Sequence, residues 1–224
     1  HLPEGNIHFA AFTPLQADLL IETQFEKFNH IGTVILGGGV ISTSLFNKLK
    51  KCRNRIFATY GMTETASQIT TTEKLTACPS RIHAGKPLPG RELRISPSGE
   101  VQVRGGILAT GVLTSSGQLE SITDAEGWAS TRDVGTLNKN NELILLGRQD
   151  RMIISGWENI HPERIEAILS DVPGVVRVAV VGITHPVFGM RPVAFVTGNV
   201  NVESLREFLG ERVERFSIHD FFFP

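Results

Sequence analysis

Residues Gly147 to Leu169 read GRQDRMIISGWENIHPERIEAIL, and this stretch divides the chain. It changes character three times. Gly147-Arg148-Gln149-Asp150-Arg151 is a polar turn with paired charges. Met152-Ile153-Ile154 is an apolar run long enough for a strand and too short for a helix. Ser155-Gly156-Trp157-Glu158-Asn159 is a second glycine turn. Pro162 then opens a helix, with Ile165, Ile168 and Leu169 at helical spacing. A charged turn between two packed segments has the character of a hinge. An ordinary loop and helix would give the same local pattern.

Upstream, Thr13-Pro14 marks a helix start, Thr13 as N-cap and Pro14 in the first turn. Leu15, Leu19, Leu20 and Phe25 are the expected apolar face. A short strand at Thr33–Leu36 runs into Gly37-Gly38-Gly39, and a helix follows over about Ser44–Lys50. Strand, glycines and helix in that order indicate an α/β fold. The three glycines allow close backbone approach to a planar or anionic ligand, or simply a tight turn. Arg55–Thr59 reads as a strand ending at Tyr60-Gly61-Met62-Thr63-Glu64-Thr65-Ala66-Ser67. In that segment Tyr60 offers a face to a base and Thr63 a hydroxyl to phosphate. Glu64 offers a hard oxygen to Mg²⁺, which takes only one or two carboxylates. Ligands gather at the carboxyl ends of strands in open α/β sheets, although a solvated turn has the same composition.

Gly85-Lys86-Pro87-Leu88-Pro89-Gly90 reads as a loop, without the Walker frame. Glu92–Ile95, Glu100–Arg104 and Glu142–Leu146 alternate as antiparallel strands, with a hairpin turn at Asn140-Asn141. Asp133, in STRDVG, is expected between a strand end and a glycine turn. Its carboxylate could accept from two adjacent hydroxyls, as on a ribose, or cap the turn. After the opening stretch come β-branched Gly174–Gly182, a strand at Arg191–Thr197 and a helix at Val202–Leu209, together a small α+β unit. The chain has 224 residues and a formal net charge of −1, with no basic stripe for nucleic acid. No apolar run approaches the roughly 20 residues of a membrane helix. Cys52 and Cys78, the only 2 cysteines, have neither disulfide-framework nor zinc spacing. The expectation is a cytoplasmic protein that neither binds nucleic acid nor inserts into a membrane.

YGMTETAS at 60–67, STRDVG at 130–135 and GRQDRMIISGWENIHPERIE at 147–166 stand in one order. Together with GGG at 37–39 and GEVQVRGGILATG at 99–111, they resemble the adenylate-forming superfamily. That superfamily comprises acyl-CoA synthetases, peptide-synthetase adenylation domains and luciferases. YGMTETASQI, FAAFTPLQ and RMIISGWENIHPERIE are most similar to o-succinylbenzoate–CoA ligases of menaquinone biosynthesis. The resemblance implies the C-terminal portion of the large AMP-binding domain over residues 1–149, an α/β sheet plus a small β-barrel region. A small mobile α+β domain would follow over 150–224. It also implies ATP, Mg²⁺ and coenzyme A, with a small carboxylic acid as the other substrate. A homodimer is one assembly it allows. The carboxylate is activated to an acyl-adenylate and then transferred to the thiol. A general aryl or fatty acyl-CoA ligase and a non-catalytic nucleotide-binding remnant are the alternative readings.

On that resemblance Gly37, Gly38 and Gly39 line the adenine and acyl pocket, and Tyr60, Gly61 and Met62 belong to the nucleotide site. Tyr60 stacks on adenine, Thr63 contacts phosphate, and Glu64 holds the metal. Asp133 binds the ribose hydroxyls, Arg148 reaches ribose and phosphate, and Thr63, Glu64 and Arg148 form the catalytic set. Asp150 is the hinge residue. Ser155, Gly156 and Trp157 form the loop on the coenzyme A side, with Trp157 where a glycine is more usual. Two family features have no counterpart here: the Ser/Thr/Gly-rich phosphate loop upstream of Tyr60, and a late lysine after a glycine. The chain therefore reads as a fragment. Each missing electrostatic donor is worth about 100–1,000-fold in rate. The isolated 224-residue chain is expected to show no adenylation in a pyrophosphate-exchange assay, and near-normal turnover would refute this.

Overall fold

The computed structural model describes residues 2, 5–76, 82–156, 158–210 and 220–222. Trp157, Cys78, Phe223 and Pro224 lie outside them. The chain forms two compact units, His1–Leu145 and Leu146–Pro224.

The first unit opens with β1 (Phe9–Phe12), α1 (Pro14–Thr23), α2 (Phe25–Asn29), β2 (Thr33–Leu36), α3 (Thr43–Leu49) and β3 (Arg55–Met62). The first three strands are parallel, Ala10 beside Val34 and Val34 beside Ile56. Helices make the crossovers, as parallel pairing requires. The start of α1 is a capping box. Thr13 Oγ1 accepts from Gln16 N at 3.2 Å, and Gln16 Oε1 accepts from Thr13 N at 2.9 Å. The apolar face expected on α1 is only partly the buried one, since Leu20 packs against the core and Leu15 and Leu19 do not. Pro14, Ala17 and Ile21 point inward, whereas Leu15 is 79% and Leu19 58% exposed. Helical spacing fits both stripes, so tertiary packing selects between them. The inner stripe joins a core of Phe28, Ile31, Val34, Leu36, Leu45 and Leu49. Buried Asn54 donates its amide to the carbonyls of Phe28 and Ile31, tying the end of α2 beneath β3.

The sheet continues through β4 (Ser67–Thr71), β5 (Ile82–Pro87), β6 (Arg91–Ile95) and β7 (Glu100–Gly105). A separate ribbon pairs β8 (Val112–Leu113) with β9 (Leu119–Glu120). After it come β10 (Ala129–Leu137) and β11 (Leu143–Arg148). The strand order is β1-β2-β3-β4-β5-β11-β10-β7-β6, antiparallel from β3 onward. Residues expected as loop at 85–87 are strand. Gly85 adopts φ +78°, and a Cβ there would lie 2.2 Å from Thr71 carbonyl atoms. That glycine serves a close cross-strand approach, which local composition does not distinguish from a turn. Ile69, Ala84, Val101, Val103 and Leu143 form a second core beneath these strands. The guanidinium groups of Arg94 and Arg104 both lie over the Trp128 ring, at 4.3 and 4.7 Å.

The second unit contains β12 (Ile153–Ser155), β13 (Glu158–Ile160), α4 (Pro162–Leu169), β14 (Val175–His185), β15 (Gly189–Gly198), α5 (Val202–Gly210) and β16 (Asp220–Phe222). Its sheet order is β13-β12-β15-β14, with β16 parallel to β15. Ile165 and Leu169 of α4 and Leu205 and Leu209 of α5 bury against Val180, Ala194 and Val196. The helix, two strands and helix expected from sequence are present, joined by β12, β13 and β16.

Phe28 is fully buried in the first core. Phe28→Ala is expected to lower stability by about 3–5 kcal/mol in chemical denaturation. An unchanged midpoint would show that this ring is not part of the cooperative core.

Candidate functional site

Tyr60, Gly61 and Met62 lie inside β3 rather than in a turn beyond it. The strand extends because β4 pairs with it antiparallel, Gly61 beside Gln68 and Met62 beside Ser67. Gly61 makes that approach possible, since a Cβ there would stand 1.8 Å from the Ser67 carbonyl oxygen. The turn itself is a single 3₁₀ turn at Thr63–Thr65. Thr65, 1% exposed, fastens it. Its hydroxyl receives the Met62 N–H at 3.2 Å and lies 2.9 Å from the carbonyl oxygens of Met62 and Ser67. Ala66 closes the turn in the left-handed region at φ +57°. The Glu64 carbonyl accepts from Ala109 N at 2.8 Å, which ties the turn to the GGILATG segment. Thr63 and Glu64 are therefore presented by a braced backbone.

A cleft of about 540 Å³ opens beside this turn, lined by Gly37, Gly38, Thr59, Gly61, Met62, Thr63 and residues 66–68. Gly38 is left-handed at φ +72°, and a Cβ on Gly37 would meet Thr59 Cγ2 at 2.7 Å. Gly39, Tyr60, Glu64 and Asp133 are not among the lining residues. Gly39 instead faces Pro14, 3.3 Å from where its Cβ would be. Glu64 is half-buried, and its carboxylate makes no hydrogen bond or ion pair among the described residues. No group of three or more His, Cys, Asp and Glu that could hold a metal occurs among the described residues. A lone carboxylate beside a cleft fits Mg²⁺, which retains waters and takes its other ligands from substrate phosphates.

Asp133 departs from its expected place at a strand end. It lies within β10, at a bulge. Ser130 pairs with Gln102 and Val134 with Glu100, so Thr131, Arg132 and Asp133 stand opposite Val101 alone. Arg132 takes φ +60° to make room. Such bulges re-aim a side chain. The outcome is a hydrogen bond from Tyr60 Oη to Asp133 Oδ2 at 2.6 Å, joining positions 73 residues apart. Sequence reasoning had both residues but no sign of their contact. It missed Thr65, Thr131 and Glu100, which shape the backbone beneath the named residues. GEVQVRG was the available signal for Glu100.

The remaining expected residues belong to the second unit. Arg148 donates bidentately to Asp150, Nε to Oδ1 and Nη2 to Oδ2, both at 2.9 Å. Arg151 spans two glutamates of α4, with Nη1 3.0 Å from Glu163 and Nη2 2.9 Å from Glu166. Glu166 also accepts from Val180 N at 2.9 Å. The Arg151–Glu163 contact is an ion pair without hydrogen-bond alignment. Gly147 lies against the same group. A Cβ there would stand 2.6 Å from Glu163 Oε2 and 3.1 Å from His161 Nδ1. Ser155 is buried in β12, and its hydroxyl has no partner among the described residues. Gly156 is left-handed at φ +58° and donates to the Phe188 carbonyl at 3.1 Å.

A family model for AMP-binding enzymes matches residues 2–119, and one for the AMP-binding enzyme C-terminal domain matches 164–223. The chain belongs to the AMP-binding enzyme family. It is 36% identical to the 2-succinylbenzoate–CoA ligase of Escherichia coli K12 over 183 residues, covering 82% of this chain and 39% of that protein. The o-succinylbenzoate coenzyme A synthetase of Bacillus subtilis in complex with ATP and magnesium ion superposes with a TM-score of 0.83 at 28% identity. That match covers 97% of this chain and 48% of the other. The same enzyme in complex with the acyl-adenylate intermediate also matches at 0.83 and 28%, over 97% and 47% of the two chains. The chain thus spans less than half the length of these AMP-binding relatives. Its α/β architecture is that of the family. No helix among the described residues is long and apolar enough to cross a membrane.

Burial holds the His161 imidazole below its ordinary pKa of 6.5, against a smaller opposing pull from Glu163 and with a further push down from Arg164. The unfolded chain then binds more protons just below pH 6.5, so stability falls as pH drops through that window. His161→Asn is expected to flatten the decline in thermal melts between pH 6.5 and 5. A slope equal to that of the unaltered protein would remove His161 as its source.

Proposed function

We propose that this chain is part of an ATP-dependent, AMP-forming acid–thiol ligase that converts o-succinylbenzoate to o-succinylbenzoyl-CoA for menaquinone biosynthesis. The Tyr60–Asp133 hydrogen bond carries the reading. It joins a planar ring on β3, a strand that lines a glycine-rich cleft, to a two-oxygen acceptor on β10. Adenosine needs that pair of groups, a surface for its base and an acceptor for its vicinal hydroxyls. Tyr60 lies against adenine, and Asp133 accepts from the ribose. Gly37, Gly38, Gly61 and Met62 let the nucleotide approach the backbone, and Gly39 supports the turn from behind. Thr63 donates to phosphate, and Glu64 would hold Mg²⁺, whose charge offsets that of the phosphates.

A carboxylate is a poor electrophile. Its attack on the α-phosphate yields a mixed anhydride and releases pyrophosphate. Positioning and charge neutralisation then account for most of the acceleration. Arg148 exchanges its hold on Asp150 for ribose and phosphate in this reading. Asp150 is the hinge between a large domain at 1–149 and a mobile domain at 150–224. Ser155, Gly156 and Trp157 turn toward coenzyme A in the second step. The 36% identity to 2-succinylbenzoate–CoA ligases supports the acid proposed, and a cytoplasmic reaction is part of the same proposal.

The test is ATP–pyrophosphate exchange by the full-length protein with o-succinylbenzoate, benzoate and a medium-chain fatty acid. Exchange supported by o-succinylbenzoate above the other two is the expected result. Exchange with another acid and none with o-succinylbenzoate would move the protein to the general acyl-CoA ligases. Absence of exchange with any acid would leave a non-catalytic nucleotide-binding protein.

A further inference from the structure

The Asp133 carboxylate is aimed by a bulge, and that bulge has its own support. Arg132 occupies the left-handed region at φ +60°, which is unfavourable for a residue with a long side chain. Four hydrogen bonds hold it there. Glu100 Oε1 accepts from the Arg132 backbone N–H at 3.0 Å and from the Ser130 hydroxyl. Thr131, 3% exposed, donates from Oγ1 to the Val101 carbonyl at 2.7 Å, and the same oxygen receives the Asp133 N–H at 3.1 Å. The Glu100 backbone is also fixed, its N–H donating to Ser96 Oγ at 3.0 Å. One carboxylate oxygen thus grips the residues on either side of Thr131. Without it, the unpaired Arg132 N–H would draw the strand toward regular β geometry. Regular pairing would turn Asp133 to a different direction, because side chains alternate across a strand.

We infer that Glu100 is a positioning residue for nucleotide recognition: it holds the β10 bulge that directs Asp133 at the ribose hydroxyls. The inference rests on the reading of Asp133 as the ribose acceptor. Glu100 itself touches no nucleotide atom, and its effect passes through the Arg132 peptide. It therefore governs discrimination between ribose and deoxyribose more than it governs the fold. Charge is not the requirement. An amide oxygen can accept the same two hydrogen bonds, so Glu100→Gln retains the function and Glu100→Ala does not.

The experiment measures binding of AMP and of 2′,3′-dideoxy-AMP to the full-length protein by calorimetry. Four proteins are compared: unaltered, Glu100→Ala, Glu100→Gln and Asp133→Ala. The expected result for Glu100→Ala is an AMP affinity weaker by about tenfold, in line with loss of a hydrogen bond to a charged group. Its preference for AMP over the dideoxy nucleotide falls toward one, as in Asp133→Ala, while Glu100→Gln keeps the preference. If Glu100→Ala does not fold, Glu100→Asp carries the same readout, since it withdraws the acceptor by one methylene. A preference retained in the Ala variant, or in Asp when Ala does not fold, overturns the role of Glu100, whether or not overall affinity falls. An unaltered preference in Asp133→Ala, or no AMP binding by the unaltered protein, overturns the ribose reading beneath it.

Discussion

The hydrogen bond between Tyr60 and Asp133 constrains the arrangement of the first unit. Its partners come from β3, which belongs to the parallel layer, and β10, which belongs to the antiparallel extension. Within the one nine-stranded sheet, β4, β5 and β11 connect β3 to β10. Gly61 and Gly85 permit the closest of these approaches, because any Cβ there would collide with neighbouring backbone. The bulge in β10 then supplies the last adjustment of direction. A short polar contact at the end of such a chain of fits has a fixed geometry that neither partner could impose alone.

The second unit follows another logic, in which charged side chains near the hinge-like stretch are paired at short range. Arg148 is held by Asp150 two residues away, and Arg151 by two glutamates of α4. The exposed Arg148–Asp150 pair contributes little to stability, whereas the glutamates that hold Arg151 are largely buried. The effect of these pairs is on orientation: they set which way each guanidinium points when no anion competes for it. Gly147 contributes by leaving space for Glu163 and His161 beside the turn. Ser155 and Gly156 are fixed by strand pairing and by the Phe188 carbonyl. The loop they belong to is thus anchored at β15.

Chemistry legible in the sequence lay in short contiguous runs. Tyr60, Thr63 and Glu64 share one short contiguous run, and Asp133 and Arg148 stand in their own motifs, so composition and order singled them out. The supporting residues were less legible. Thr65 acts through three backbone contacts, and Glu100 acts across 30 or more residues on Ser130 and Arg132. No local pattern encodes a long-range hydrogen bond. The same limit applies to α1, where Leu15 and Leu19 suit an apolar face as well as Ala17 and Ile21 do.

The sequence by itself determined the α/β class, most of the strand and helix positions and the motifs from which the nucleotide site is proposed. Periodicity, capping and glycine placement are local, and the chain expresses them without help from distant residues. Only the tertiary structure decided that YGM is strand, that residues 85–87 pair with β4 and β11, and that Asp133 sits on a bulge. Each of these depends on which backbone groups find partners across the sheet. That pairing is a property of the assembled layers, and it overrides the turn preference of glycine and aspartate.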